Sequence, residues 1–281
     1  MKIAVASGKG GTGKTTVSLA LASVAGTDAL LMDCDVEEPN CHLFISTEQQ
    51  REKVYGLMPV IDKALCTSCG KCGKICQFNA IAVLGDNVLL FPELCHGCGG
   101  CVRVCPTGAL KEVDKEIGEI GGCRKDDLSL IDGHLSIGQA MSPPLIRAVK
   151  NHGGKEKYII VDCPPGTSCP MVTAVRDADF VLLVTEPTPF GLHDLTLAVD
   201  TLRELKLPMG VIINRADSGD DKVKAYCKAE GIPVMLEIPH RRDIATAYSR
   251  GEIMLQAAPE LSLMFRKLLK DVENRVSEVK K

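Results

Sequence analysis

The sequence predicts an α/β fold: a mostly parallel sheet flanked by helices, with a small cysteine-rich α+β domain inserted into it. Three observations lead there. Short apolar, β-branched runs alternate with longer helical patterns, the signature of a parallel sheet with crossover helices. A glycine-rich turn ending in Lys14-Thr15-Thr16 separates the first such run from the first helical segment. Eight of the 14 cysteines fall between Cys66 and Cys105, and the other six are scattered.

Taken in order, strands are expected at Ile3–Ala6, Ala29–Asp33, Tyr158–Asp162, Phe180–Thr185, Gly210–Asn214 and Val234–Ile238. Helical patterns lie between them at about Lys14–Ala25, Pro170–Ala178, Leu192–Leu205 and Asp220–Glu230. Leu30-Leu31-Met32 and Ile159-Ile160-Val161 are continuously apolar, which suits strands buried on both faces. The alternation breaks between about Met58 and Glu112, so residues 58–112 read as an insertion and residues 1–57 with 113–281 as the larger domain. Residues 113–140 hold short β-like pieces punctuated by Gly118, Gly121, Gly122, Gly133 and Gly138, which fit either extra strands or a mobile connector.

Composition narrows the function classes. With 45% apolar and 25% charged residues the chain is an ordinary globular protein, and a net charge of −3 gives no basic footprint for nucleic acid. The longest apolar runs, such as Phe180–Val184, are of strand length, so no membrane span is expected. Nor does the beginning of the chain read as a secretory leader, because Lys2–Ala6 runs directly into the glycine-rich turn. Leu261, Met264, Phe265, Leu268, Val272, Val276 and Val279 recur at helical spacing, but the stripe thins to valines. That fits a helix packed on its own domain rather than a membrane anchor. The expectation is a cytoplasmic protein, in a reducing compartment where clustered cysteines mean metal ligation rather than disulfides.

Gly8-Lys9-Gly10-Gly11-Thr12-Gly13-Lys14-Thr15 satisfies the phosphate-loop pattern in its proper place, after a strand and opening a helix. Glycines let backbone N–H groups turn in around phosphate, and the helix N-terminus adds its positive end. Lys14 is expected on the β/γ-phosphates and the Thr15 hydroxyl on Mg²⁺, with ATP or ADP as the ligand. Asp33-Cys34-Asp35 closes the second strand, where an acidic residue can orient an attacking water. Ile159-Ile160-Val161-Asp162-Cys163-Pro164-Pro165-Gly166 reads as the strand whose Asp162 holds Mg²⁺.

Cys66-x2-Cys69-x2-Cys72-x3-Cys76 is repeated as Cys95-x2-Cys98-x2-Cys101-x3-Cys105-Pro106. This is bacterial ferredoxin spacing for two [4Fe–4S] clusters, in which the fourth cysteine of each run serves the other cluster. One cluster is then expected on Cys66, Cys69, Cys72 and Cys105, and the other on Cys95, Cys98, Cys101 and Cys76. The first run ends in Gln77 where the pattern has proline. His96 is read as a surface or supporting residue, His42, His193 and His240 as without a role, and Cys34, Cys41 and Cys227 as neutral thiols.

With Lys9 beside the second glycine, the loop resembles the deviant Walker A motif of the MinD/ParA superfamily of ATPases. That resemblance implies an ATP-dependent homodimer, with Lys9 reaching the partner subunit's nucleotide. It implies that Asp35 is the catalytic acid of switch I, Asp33 being structural. It further places the Gly166 N–H at the γ-phosphate, Asn214 at adenine and Pro239 beside the base. Together with the insertion, the pattern is similar to relatives such as the nitrogenase iron protein and Mrp-type iron–sulfur carriers. By likeness to the iron protein, Cys123 and Cys169 would bridge two subunits through a further cluster, Cys169 lying seven residues beyond Asp162. Three functions follow from the resemblance: ATP-driven electron transfer to a protein redox partner, ATP-gated carriage of a cluster or metal cofactor to an assembly partner, and a positioning ATPase with a ferredoxin docking module.

Overall fold

The computed structural model describes residues 1–45 and 50–279. In chain order the elements are β1 (Lys2–Ala6), α1 (Lys14–Ala25), β2 (Ala29–Asp33), β3 (Gln50–Ile61), α2 (Lys71–Ile75), β4 (Ile81–Leu84), β5 (Asn87–Leu90), α3 (Gly100–Arg103), β6 (Leu110–Lys125), β7 (Leu128–Leu135) and α4 (Pro143–Asn151). They continue through β8 (Tyr158–Asp162), α5 (Cys169–Val175), β9 (Phe180–Thr185), α6 (Pro189–Glu204), β10 (Met209–Asn214), α7 (Lys222–Ala229), β11 (Val234–Ile238), α8 (Arg242–Ser249), α9 (Met254–Ala257) and α10 (Ser262–Val279).

The six expected strands form, each within a residue of its predicted start. The helices keep their places but shift at their ends. Helix α6 starts at Pro189 because the Thr188 hydroxyl accepts the Gly191 N–H and Pro189 fits the first turn. Helix α4 was not expected. Its signal was Ser142-Pro143-Pro144 ahead of Leu145, Ile146 and Val149, all of which are buried.

One nine-stranded sheet runs β11-β10-β9-β1-β8-β2-β7-β6-β3. From β11 to β7 every pairing is parallel; β6 runs antiparallel to both β7 and β3. The short strands β2, β8 and β9 are buried at every position, as their unbroken apolar runs require. Helices α1, α9 and α10 cover one face through Val17, Leu21, Met254, Phe265, Leu268 and Val272. Helices α4 to α7 cover the other through Leu145, Met171, Leu195 and Val223. The α10 stripe thus packs on its own domain, with Met264 facing outward and the Val279 side chain outside the described residues. No helix among the described residues is long and apolar enough to cross a membrane.

Most of residues 113–140 is strand: β6 to Lys125, then β7 to Leu135, seated in parallel register on β2. The expected domain edges at 57/58 and 112/113 fall inside paired strands. After one irregularity between Val54 and Tyr55, register runs unbroken from Tyr55 opposite Glu116 to Ile61 opposite Leu110. Antiparallel pairing carries the two arms of the insertion together up to Ile61 and Leu110, so it begins after them.

Between those arms the chain repeats with an offset of 29 (95 − 66). Asp62 N–H donates to the Ala109 carbonyl at 2.7 Å, and Phe91 N–H, 29 residues on, donates to Ala80 at 2.8 Å. Ser68, Gly70 and Asn79 have positive φ, as do Gly97, Gly99 and Gly108 at the matching places. A two-stranded sheet, β4 with β5, completes the unit. Its small core is Cys72, Ile81, Cys101 and Leu110, two pairs related by the same offset.

Candidate functional site

The loop after β1 crosses very close to α6. A Cβ on Gly8 would lie 2.1 Å from the Asp194 carbonyl oxygen, so only glycine allows that approach. Gly13 takes φ +97, and a Cβ there would meet the Asn214 Nδ2 at 2.5 Å. Asn214, at the end of β10, donates from Nδ2 to the Thr12 carbonyl at 2.8 Å and so ties the loop to the sheet. Lys14 is buried, and the buried Thr12 Oγ1 has no hydrogen-bond partner among the described residues. An unsatisfied hydroxyl, a buried cation and a glycine-lined loop together suit a phosphate group.

This loop floors a cleft of about 400 Å³ lined by Gly10, Gly11, Gly13, Thr15, Thr16, Asp35 and Asn214, among others. Its far wall is Ile238, Pro239, Ile244, Tyr248 and Met254. Pro239 is on the cleft, and Tyr248 and Met254 beside it were not legible, coming from elements far along the chain.

At the bottom, Asp162 is fully buried and accepts the Thr15 Oγ1 hydroxyl at 2.7 Å and the Ser18 Oγ at 2.9 Å. Burial raises its carboxyl against these donors and the nearby Lys14. Ser18 was missed; it lies one helical turn past Thr15 on the same face, which is a readable signal. Asp33 accepts the backbone N–H groups of Asp35 at 3.1 Å, Asn40 at 3.0 Å and Cys41 at 2.9 Å. It is spent on holding this loop. Burial, then the neighbouring Asp162, pushes Asp33 up to about 8. Asp35 is half-buried on the cleft wall, and burial with Asp162 pushes it up to about 7 while Lys14 pulls the other way.

Gly166, at φ +90, donates its N–H to the Ser7 carbonyl at 3.0 Å. Lys9 is folded onto its own chain, its Nζ 3.8 Å from Glu186, which also pairs with Arg215 at 2.9 Å. Cys34, Cys41 and Cys227 are buried thiols, and burial pushes Cys227 up to about 11.

The insertion places its cysteines in two cavities. Cys66, Cys69, Cys72 and Cys105 line one; Cys76, Cys95, Cys98 and Cys101 line the other. All 14 cysteines are free thiols. Ser68 N–H donates to the Cys66 sulfur at 3.4 Å, and Gly97 N–H to the Cys95 sulfur at 3.4 Å, again 29 residues apart. His96 stacks on Phe78, with ring centroids 3.5 Å apart, at the edge of the second cavity. Cys123 sits on β6 against the core beneath α1, its sulfur 3.9 Å from the Ile45 carbonyl. Cys169 is exposed at the start of α5, on the opposite face of the sheet, so the two thiols do not converge within one chain.

The family model for the CobQ/CobB/MinD/ParA nucleotide binding domain matches residues 3–254. An uncharacterized protein of Methanocaldococcus jannaschii is 37% identical over 223 residues, 76% of this chain and 78% of that protein. An iron–sulfur cluster carrier protein of Aquifex aeolicus is 28% identical over 122 residues, 38% of this chain and 34% of its own. Among solved structures, the septum site-determining protein MinD of Pyrococcus horikoshii, complexed with Mg-ADP, superposes with a TM-score of 0.56 at 20% identity, covering 100% of this chain and 98% of that one.

Proposed function

Because this chain belongs to the CobQ/CobB/MinD/ParA nucleotide-binding family, we propose that it binds and hydrolyses ATP as an iron–sulfur protein, with nucleotide-driven pairing of two copies governing electron transfer through two [4Fe–4S] clusters. Lys14 and the loop N–H groups bind the β/γ-phosphates, and Thr15 with Asp162 holds Mg²⁺. Asp35 orients the attacking water. Pairing would draw Lys9 from Glu186 to the partner's nucleotide, and the γ-phosphate would draw the Gly166 N–H from Ser7.

The observation that carries the redox half is the crossed partition of the eight cysteines into two sets of four, each lining its own cavity. Zinc suits these sites poorly. Sulfurs around one tetrahedral zinc lie about 3.8 Å apart, given Zn–S bonds of about 2.3 Å. Among the described residues, the groups of three or more ligating atoms within 4.8 Å of one another include no cysteine of the insertion. Wider spacing suits a multinuclear cluster, which when bound would supply one-electron chemistry. The protein's own part is to hold the thiolates, donate Ser68 and Gly97 N–H groups to sulfur, and join both cavities to the nucleotide sheet through β3 and β6.

The likeness to a cluster carrier favours a second reading, in which ATP gates transfer of a cluster to an assembly partner. Two complete sets of four thiolates favour resident clusters, since cargo needs a labile ligand set. The test is anaerobic. Protein reduced with dithionite and freed of excess reductant receives ATP and fractions of its own cell extract, while cluster oxidation and iron content are followed. Oxidation that depends on ATP, without loss of iron and absent in Lys14→Ala, supports electron transfer. ATP-dependent loss of iron to an acceptor protein selects the carrier, and neither outcome sinks both.

A further inference from the structure

Away from the phosphate loop and the eight clustered cysteines, His42, Asp132 and His134 come together. Their ligating atoms all lie within 4.8 Å of one another. Three separate stretches build this cluster. Asp132 and His134 are on β7, where Asp132 sits in register with Asp33 of β2. His42 belongs to the turn whose neighbouring Cys41 N–H is held by Asp33. Arg51, on β3, reaches in across Gly121 of β6, which is opposite Arg51 on one side and Asp132 on the other.

The hydrogen-bond chemistry at the centre does not close. His134 Nε2 is 2.9 Å from Asp132 Oδ2, and Arg51 Nη2 is 3.1 Å from that oxygen and 3.0 Å from that nitrogen. If Nε2 accepts from Arg51, its lone pair faces the carboxylate oxygen. If Nε2 carries the proton, it faces the guanidinium N–H. Either way one of the three contacts is repulsive. Two more polar atoms of the cluster are unsatisfied: Asp132 Oδ1, on a fully buried side chain, and the buried His42 Nδ1 have no hydrogen-bond partner among the described residues. His42 Nδ1 is 3.8 Å from Asp132 Oδ2, and the two imidazoles are 5.1 Å apart at 54°. A cation among these atoms, which lie within 4.8 Å of one another, would satisfy the Nε2 lone pair, the carboxylate and a His42 nitrogen at once.

We propose that His42, Asp132 and His134 form a binding site for a first-row divalent transition metal, for which Arg51 is the internal competitor. Two imidazoles and one carboxylate are the donor set that zinc and its neighbours take, and the His42 and His134 side chains are 29% and 34% exposed, which leaves an entry path. Metal binding would fasten the turn after Asp35 to β7 and release Arg51, on the strand that leads into the cysteine-rich unit. This site stands or falls independently of the redox proposal, because none of its ligands is a cysteine and its readout is bound zinc.

The probe is Zn²⁺, added to anaerobic, iron-loaded full-length protein saturated with Mg²⁺ and ADP, then measured by elemental analysis after gel filtration and by chelator competition. One zinc per chain is expected, with iron and ADP unchanged. His134→Ala and His42→Ala should each weaken zinc by at least about tenfold. Arg51→Ala should bind it several-fold more tightly, which a purely structural ion-pair network would not do. Equal zinc in wild type and both histidine variants overturns the site, as does weaker or absent binding in Arg51→Ala. Should a histidine variant fail to fold, the direction of the Arg51→Ala change still decides.

Discussion

Ile160, Leu182 and Ile212 lie in a sheet sealed by a helical layer on each face. The cysteine-rich unit, by contrast, encloses a core of four residues, two of them expected cluster ligands, and leaves Leu65, Leu84, Leu89, Phe91 and Leu94 exposed. The difference is one of surface to volume. A large α/β domain stabilises itself by burying apolar area, while a unit of about fifty residues buries a smaller share of its surface and is marginal without a bound ligand. One chain thus holds a large scaffold with a two-sided core and a small unit with little core of its own, joined by two antiparallel strands.

Removing metal should separate the two regions most sharply. Anaerobic chelation of iron is expected to make residues between Ile61 and Leu110 susceptible to protease while ADP affinity stays within about twofold, since only the small unit needs the ligand. Loss of ADP binding together with iron would break the distinction. Next in size, Ile160→Ala should cost about 2–5 kcal/mol by leaving a cavity in the central sheet. Denaturant unfolding should show it, whereas Ile81→Ala should mainly lower iron retention. The third effect lies within the sheet region: Lys9→Ala should still bind ATP but remain monomeric by light scattering, with hydrolysis reduced at least tenfold. An equally dimeric variant would remove Lys9 from the interface.

A further effect is on pH. Asp33 and Asp35, raised to about 8 and about 7, sit above the ~3.9 of an unfolded aspartate. The folded, nucleotide-free chain therefore keeps protons that the unfolded chain releases. Its stability should fall as pH rises from about 4 toward 8, a slope confined to the sheet region. Asp35→Asn should flatten that slope in denaturant midpoints measured at several pH values, and an unchanged slope would show that Asp35 titrates normally.

Much of this molecule was legible because the relevant pattern is short. A phosphate loop is eight residues of backbone geometry. A buried strand is an unbroken apolar run, as in β2, β8 and β9, and a ligand run is a spacing within eleven residues. The offset of 29 lay in the cysteine positions before any fold was known, and so did the expected assignment of Cys76 and Cys105 to opposite sets. Asp35 and Pro239, singled out by the family resemblance, both line the cleft.

What the tertiary structure decided is whatever depends on strands meeting across long stretches of sequence. The edges of the insertion moved because β3 and β6 pair with each other, which no local composition records. The bond from Asn214 Nδ2 to the Thr12 carbonyl joins residues 202 positions apart. Cys123 and Cys169 read as a pair by number and lie on opposite faces of the sheet. His42 looked isolated, and it became part of a cluster only when β7 docked in parallel on β2 and brought Asp132 and His134 beneath the turn that Asp33 holds. Sequence fixes what each segment can do with its near neighbours, since hydrogen bonds and periodicity act over a few residues. Which distant segments share a face is set by the packing of the whole sheet, and the long-range side-chain sites exist only once it has formed.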